Sequence, residues 1–222
     1  MSWVTYILPR IVARYSSPIN RDIRVLEEKG KYKLLVNGSR QSGEYVRKLW
    51  QHAFCVFGII PSPDVRKILV LGVAGGTVVH LLHAMYPDAT IEGVEIDKEM
   101  IVIGKKYFGL DRVERLTLTK SDAKAFLEKV ARKKKHWDMI LVDTHVGPEV
   151  PEFVSNARFL MLVRHALAPG GMVIVNYLRE LHYLVLSQHL RTKLKKIFRN
   201  VRETDIYFNR FFCCQQGLFV VK

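Results

Sequence analysis

A chain of 222 residues, 49% of them hydrophobic, can bury a full core as one domain or as one domain with a small appendage. Its formal net charge of +14 is high for an enzyme; it either keeps the surface solvated or draws an anionic partner such as nucleic acid, a membrane surface or an acidic small molecule. The three cysteines, Cys55, Cys213 and Cys214, are odd in number and lack metal-ligand spacing, which argues against a disulfide framework and a metal site and points to reduced thiols in the cytoplasm.

In chain order, the apolar start from Trp3 to Leu8 stops at Pro9-Arg10, too short for the core of a signal peptide, and reads as an ordered or partner-contacting end. No later apolar run approaches the length that spans a bilayer. Two alternating segments, Ile23 to Glu27 and Tyr32 to Val36, flank a turn at Gly30 and predict a β-hairpin. Asn37-Gly38 is a second turn, followed by a helix from Gly43 to Phe57 whose apolar positions Tyr45, Val46, Leu49, Trp50 and Phe54 lie near helical spacing.

The organisation changes at Pro61-Ser62-Pro63, giving an N-terminal hairpin-and-helix region over 1–60 and an α/β domain over 61–222. There strand and helix alternate: strands 67–72, 89–95, 115–119, 137–142 and 171–176, helices 77–85, 98–107, 122–131 and 154–167. Strict alternation with apolar strands predicts a mostly parallel sheet covered by helices on both faces. A last helix over 179–198 precedes two segments, Val201 to Phe208 and Gly217 to Val221, that pair antiparallel at the edge, which makes seven strands.

Sheets of this kind bind ligands beyond the carboxyl ends of their strands, so the loops there carry the chemistry. After the first strand comes Gly72-Val73-Ala74-Gly75-Gly76-Thr77, a turn whose glycines let backbone approach a ligand. Roughly 20 residues on, Glu95-Ile96-Asp97 ends the second strand, where a carboxylate accepts ribose hydroxyls. The turn lacks the spacing that seats a dinucleotide pyrophosphate, so a single nucleoside such as S-adenosylmethionine fits better than NAD. Ser121-Asp122-Ala123 follows the third strand; Asp122 either accepts from an adenine amine, caps its helix, or does both. Asp143-Thr144-His145 follows the fourth.

From about Ile23 onward these motifs resemble the spermidine synthase family, aminopropyltransferases built on the Rossmann-like class I methyltransferase fold. The matching segments are Leu35 to Gln41, Val94-Glu95-Ile96-Asp97, Ser121-Asp122-Ala123, Leu141-Val142-Asp143-Thr144 and Ala168-Pro169-Gly170-Gly171. The resemblance implies that Gln41 and the turn with Gly72, Gly75 and Gly76 contact the cofactor tail. It further implies that Glu95 and Ile96 hold the ribose side, Asp122 and Ala123 the adenine, and Asp143 the reacting amine, without a metal. It also implies a homodimer or homotetramer.

The chain departs from the family pattern at two places. Where the family turn, Gly-Gly-Gly-Asp-Gly-Gly, has an aspartate for the aminopropyl end of decarboxylated S-adenosylmethionine, Gly75 stands. Its loss removes a counter-charge and tilts the cofactor toward S-adenosylmethionine itself. The family's catalytic loop is shortened to Asp143-Thr144-His145-Val146-Gly147-Pro148, its second aspartate is gone, and Trp50 and His52 take the places of an acceptor-side tyrosine and acid. One carboxylate is too few for a buried diamine, which argues against putrescine. Asp143 is the expected base or orienting group, and His145 an alternative proton acceptor that a lone loop histidine seldom is. Two functions follow. The first is methyl or aminopropyl transfer from S-adenosylmethionine or its decarboxylated form to an unidentified acceptor. The second is a non-catalytic nucleoside- or nucleic-acid-binding protein, with Arg132 to Lys135 and Arg191 to Arg202 meeting phosphates.

Overall fold

The computed structural model describes residues 8–216. Trp3 to Ile7 and the predicted strand Gly217 to Val221 lie outside the described residues. An antiparallel sheet comes first, in the order β1 (Arg10–Tyr15), β2 (Ile23–Glu28), β3 (Lys31–Val36), β4 (Ser39–Ser42). The predicted hairpin is β2–β3, turning at Lys29 and Gly30, both at positive φ. Asn37-Gly38, also at positive φ, makes a second two-residue hairpin to β4, as mirror-image turns do. Strands β1 and β4 were absent from the sequence reading: β4 is short and polar, and β1 lies mostly on the surface.

Helix α1 (Glu44–Val56) leads into a seven-stranded sheet whose strands are β5 (Lys67–Leu71), β6 (Thr90–Glu95), β7 (Leu116–Lys120), β8 (Trp137–Val142), β9 (Leu167–Leu178), β10 (Asn200–Ile206) and β11 (Asn209–Gln215). Between them run α2 (Thr77–Met85), α3 (Lys98–Phe108), α4 (Ala123–Ala131), α5 (Ala157–His165) and α6 (Tyr183–Ile197). Spatial order is β10-β11-β9-β8-β5-β6-β7, parallel from β9 to β7 and antiparallel at β11 and β10. The edge pairing foreseen for the C-terminal segment is therefore made by Asn209–Gln215 instead, which returns between β10 and β9. The chain steps outward from β5 to β7 and returns on the other side of β5 at β8. That reversal puts a crevice beyond the ends of β5 and β8.

Alternation along β5 sorts its side chains to two faces. Leu69 and Leu71 pack with α4, α5 and α6 through Leu127, Phe159, Leu160 and Leu190. Ile68 and Val70 pack with α1 and α2 through Leu49, Phe54, Val79 and Leu82. Helix α5 is shorter than the predicted 154–167, because Asn156 caps it by accepting from the Arg158 amide at 2.8 Å. Helix α6 starts at Tyr183 rather than 179, after Leu181 at positive φ. Strand β9 starts early, at Leu167, with a register break before Met172 that takes up Pro169 to Gly171.

The N-terminal sheet folds over α3, burying Ile23, Val25, Leu34 and Val36 against Met100 and Ile103. Asp97 joins the two parts. Its Oδ1 accepts from the Glu99 amide at 3.0 Å and caps α3, while Oδ2 accepts from Ser17 at 2.5 Å and from Asn20 at 2.8 Å. Asp97→Ala is expected to cost about 2–4 kcal/mol in urea denaturation, a lost cap plus lost bonds to a charged acceptor. A loss below about 1 kcal/mol would show that the sheet docks through its apolar face alone.

Candidate functional site

Glu95 ends β6 with 8% of its surface exposed, and its carboxylate is the anchor of the glycine turn. Oε2 accepts from the Val73 and Ala74 amides at 3.0 and 2.9 Å, and Oε1 from the Asp97 amide at 3.0 Å. Burial pushes this carboxyl above its ordinary range, and the Asp97, Ala74 and Val73 amides oppose that push by favouring the charged form. Two carboxylate oxygens offer about four acceptor sites, so three amides leave room for roughly one further donor.

Gly72 has φ +89°, and a Cβ there would sit 2.3 Å from the Asp143 carbonyl oxygen. Only a residue without a side chain lets the turn after β5 and the loop after β8 touch. Gly75 and Gly76 face elsewhere. The Gly75 amide donates to Ser42 Oγ at 2.9 Å, and a Cβ on Gly75 would lie 2.8 Å from that hydroxyl and 3.1 Å from Phe108. Gly76, at φ +88°, backs onto Leu110 and caps α2. The Gly43 amide donates to Thr77 Oγ1 at 2.9 Å, so the neighbouring residues Ser42 and Gly43, where β4 meets α1, hold the turn at Gly75 and Thr77.

A cleft opens between these loops, lined by Gln41, Gly72, Glu95, Ile96, Asp122, Ala123, Asp143 and His145 among others. It holds about 510 Å³ of empty space, counting the part open to solvent. Asp122 caps α4, its Oδ1 accepting from the Ala125 amide at 2.9 Å, and it also lines the cleft; the capping role and the cleft position coexist. Six of the sequence-selected cofactor residues thus share one cleft, namely Gln41, Gly72, Glu95, Ile96, Asp122 and Ala123, whereas Gly75 and Gly76 lie behind it.

A second cavity adjoins the first, lined by Arg40, Gln41, Tyr45, Asp143, His145, Asn176, Glu180 and Phe208 among others. Gln41, Asp143 and His145 belong to both. Asp143 is tightly held: Trp50 Nε1 donates to Oδ2 at 3.0 Å and Asn176 Nδ2 to Oδ1 at 2.7 Å. Asn176 in turn accepts from Asn209 at 2.8 Å. Gln41 Nε2 donates to the Gly147 carbonyl at 2.7 Å, tying β4 to the loop after β8.

Trp50, which the resemblance put in the place of an acceptor-side tyrosine, is fully buried against Phe54 and Phe211 and serves the site through its indole N–H alone. His52 is on the exposed side of α1, away from both cavities. Arg40 and Glu180 were missed. Arg40 stacks over Tyr45 with its guanidinium 5.3 Å from the ring centre, and burial raises the Tyr45 hydroxyl pKa. Arg40 lies in the Leu35 to Gln41 segment but was given no role there, and Glu180 sits in no motif; β4 and the loop after β9 bring them to one cavity. The basic runs are partly engaged within the chain. Lys135 pairs with Glu92, Arg191 with Glu203 at 3.1 Å, and Lys193 donates to the Ser155 carbonyl at 2.8 Å. Among the described residues no group of three or more His, Cys, Asp or Glu is placed to hold a metal, and no helix is long and apolar enough to cross a membrane.

The chain belongs to the spermine/spermidine synthase domain family, whose pattern matches residues 48–214. Its fold is the Rossmann-like class I methyltransferase fold: the chain is similar to human methyltransferase-like protein 13, solved in complex with SAH, at TM-score 0.61 and 26% identity, over 69% of this chain and 72% of that one. A polyamine aminopropyltransferase of Vibrio vulnificus is 29% identical over 119 residues, which are 54% of this chain and 40% of that enzyme. An eEF1A lysine and N-terminal methyltransferase homolog of Drosophila pseudoobscura is 31% identical over 123 residues, 52% of this chain and 18% of the relative. The chain therefore spans less than half the length of these two relatives.

Gly72→Ala is expected to destabilise the fold by about 2–4 kcal/mol in thermal or urea unfolding, from backbone strain plus the clash with the Asp143 carbonyl. An unchanged midpoint would mean that the two loops separate at no cost.

Proposed function

We propose that the protein is a transferase that binds S-adenosylmethionine in the first cleft and passes its methyl group to an amine presented from the second cavity. The observation that carries this reading is the junction of two cavities at Asp143, one of them bounded by the Glu95 and Asp122 carboxylates. In this reading Glu95 accepts a ribose hydroxyl, Asp122 and Ala123 meet the adenine edge, and Ile96 covers its face. Gln41 and the Gly72 end of the turn border the sulfonium side. A sulfonium is a ready leaving group, so the protein's work is alignment of the nucleophile with the carbon and removal of a proton.

Two features favour the carboxylated cofactor over the decarboxylated one. At Gly75 the missing aspartate has no space to return, because Ser42 and Phe108 occupy it. Arg40 places a cation on the adjoining wall, which attracts a carboxylate and repels an aminopropyl ammonium. The same cation works against a dicationic acceptor such as putrescine. A single amine flanked by Asp143, with Glu180 at the exposed mouth, suits the cavity better. The reading also takes residues 61–222 as the cofactor-binding unit, with 1–60 supplying the wall around Gln41 and Arg40.

Calorimetry with S-adenosylmethionine, its decarboxylated form and 5′-methylthioadenosine tests this directly. The carboxylated cofactor is expected to bind more tightly than the decarboxylated one, and Arg40→Ala to narrow the gap. Tighter binding of the decarboxylated compound would overturn the assignment and restore aminopropyl transfer. Separately, Glu95→Gln is expected to weaken all three ligands by roughly 1–3 kcal/mol, the scale of a lost charge-assisted hydrogen bond. Unchanged affinities would remove Glu95 from the ribose site.

A further inference from the structure

We propose that His145 is the proton acceptor of the transfer, with Asp143 acting as the residue that positions its ring; this rests on the transferase reading above. The His145 side chain is 9% exposed, and its Nε2 is buried with no hydrogen-bond partner among the described residues. A buried ring nitrogen left unpaired is costly, so its natural partner is a group that arrives with the substrate. His145 lines both cavities, which places it at their junction.

The other ring nitrogen faces Asp143. Nδ1 lies 3.3 Å from Asp143 Oδ1, and a hydrogen on Nδ1 directed at a carboxylate leaves the Nε2 lone pair open. Both Asp143 oxygens already receive donors, from Trp50 and Asn176, which fix the direction of the carboxylate, whereas His145 Nε2 has no partner among the described residues. The loop carrying the pair is fixed by the Gln41 bond to Gly147 and by Gly147 itself, where a Cβ would lie 2.9 Å from Asn37.

The step balances without a further reactant. An acceptor ammonium gives one proton to His145 Nε2 and becomes a neutral amine. Its lone pair forms the new N–C bond as the C–S bond breaks, and that electron pair stays on sulfur as a neutral thioether. The imidazolium, facing the Asp143 carboxylate, releases its proton to solvent after the product leaves.

Long-range nitrogen-15 NMR of the imidazoles in the intact protein tests this, with 5′-methylthioadenosine in the cleft and n-butylamine as the acceptor probe. At a pH of about 8.5, where ordinary imidazoles are neutral, His145 is expected to carry its hydrogen on Nδ1. Butylamine is expected to move the Nε2 signal saturably. His145→Gln should weaken butylamine about tenfold, and by more than it weakens 5′-methylthioadenosine. Asp143→Ala should abolish the Nδ1–H preference. A hydrogen on Nε2, an Nε2 signal indifferent to butylamine, or a tautomer unchanged by Asp143→Ala overturns the proposal and leaves the cofactor site standing. Failure of the wild-type protein to bind 5′-methylthioadenosine sinks the transferase reading, and the histidine's role with it.

Discussion

The site depends on a contact that has no side chain in it. At the switch point of the sheet, the backbone of Gly72 lies against the backbone of Asp143, so close that a single methyl group would collide with the Asp143 carbonyl. This approach brings the cofactor-side turn and the reactive loop together, and without it the two cavities would not share a wall. The glycine's positive φ and the returning strand β8 are two expressions of the same constraint.

Around that contact the chain uses buried and half-buried carboxylates as fasteners. Glu95 gathers amides from the turn, Asp97 pins the N-terminal sheet to α3, and Asp143 takes an indole from α1 and an amide from β9. Each carboxylate replaces its lost hydration with donors fixed by the fold, which is the condition for keeping a charge in a low-dielectric place. A consequence for chemistry is that these groups are poor at moving. His145 lines both cavities, and its Nε2 is buried without a hydrogen-bond partner among the described residues.

The layered sheet was legible because its signals are local and periodic. Helix α2 and strand β8 fall where the apolar pattern puts them, and a glycine turn followed by an acid at the next strand tip announces the cleft. What could not be read depends on partners distant in sequence. Strand β4 is too short and polar to declare itself, yet it supplies Ser42 to fill the space beside Gly75. Trp50 takes the place of an acceptor-side tyrosine in one dimension and proves to be a buried donor, since only the fold shows that Asp143 lies 3.0 Å from its ring nitrogen. Arg40 and Glu180 reach the second cavity from strand β4 and the loop after β9, where no spacing singles them out. Within the glycine run, Gly72 borders the cleft, whereas a side chain on Gly75 or Gly76 would meet Ser42, Phe108 or Leu110, packing that no spacing announces.

The most direct measurement of the account is a crystal structure of the protein with S-adenosylhomocysteine. The account predicts the adenosine between Glu95 and Asp122, its sulfur at the shared wall beside Asp143 and His145, and the amino-acid tail on the Arg40 side. A nucleoside bound away from Glu95, or a sulfur turned from the second cavity, would contradict it.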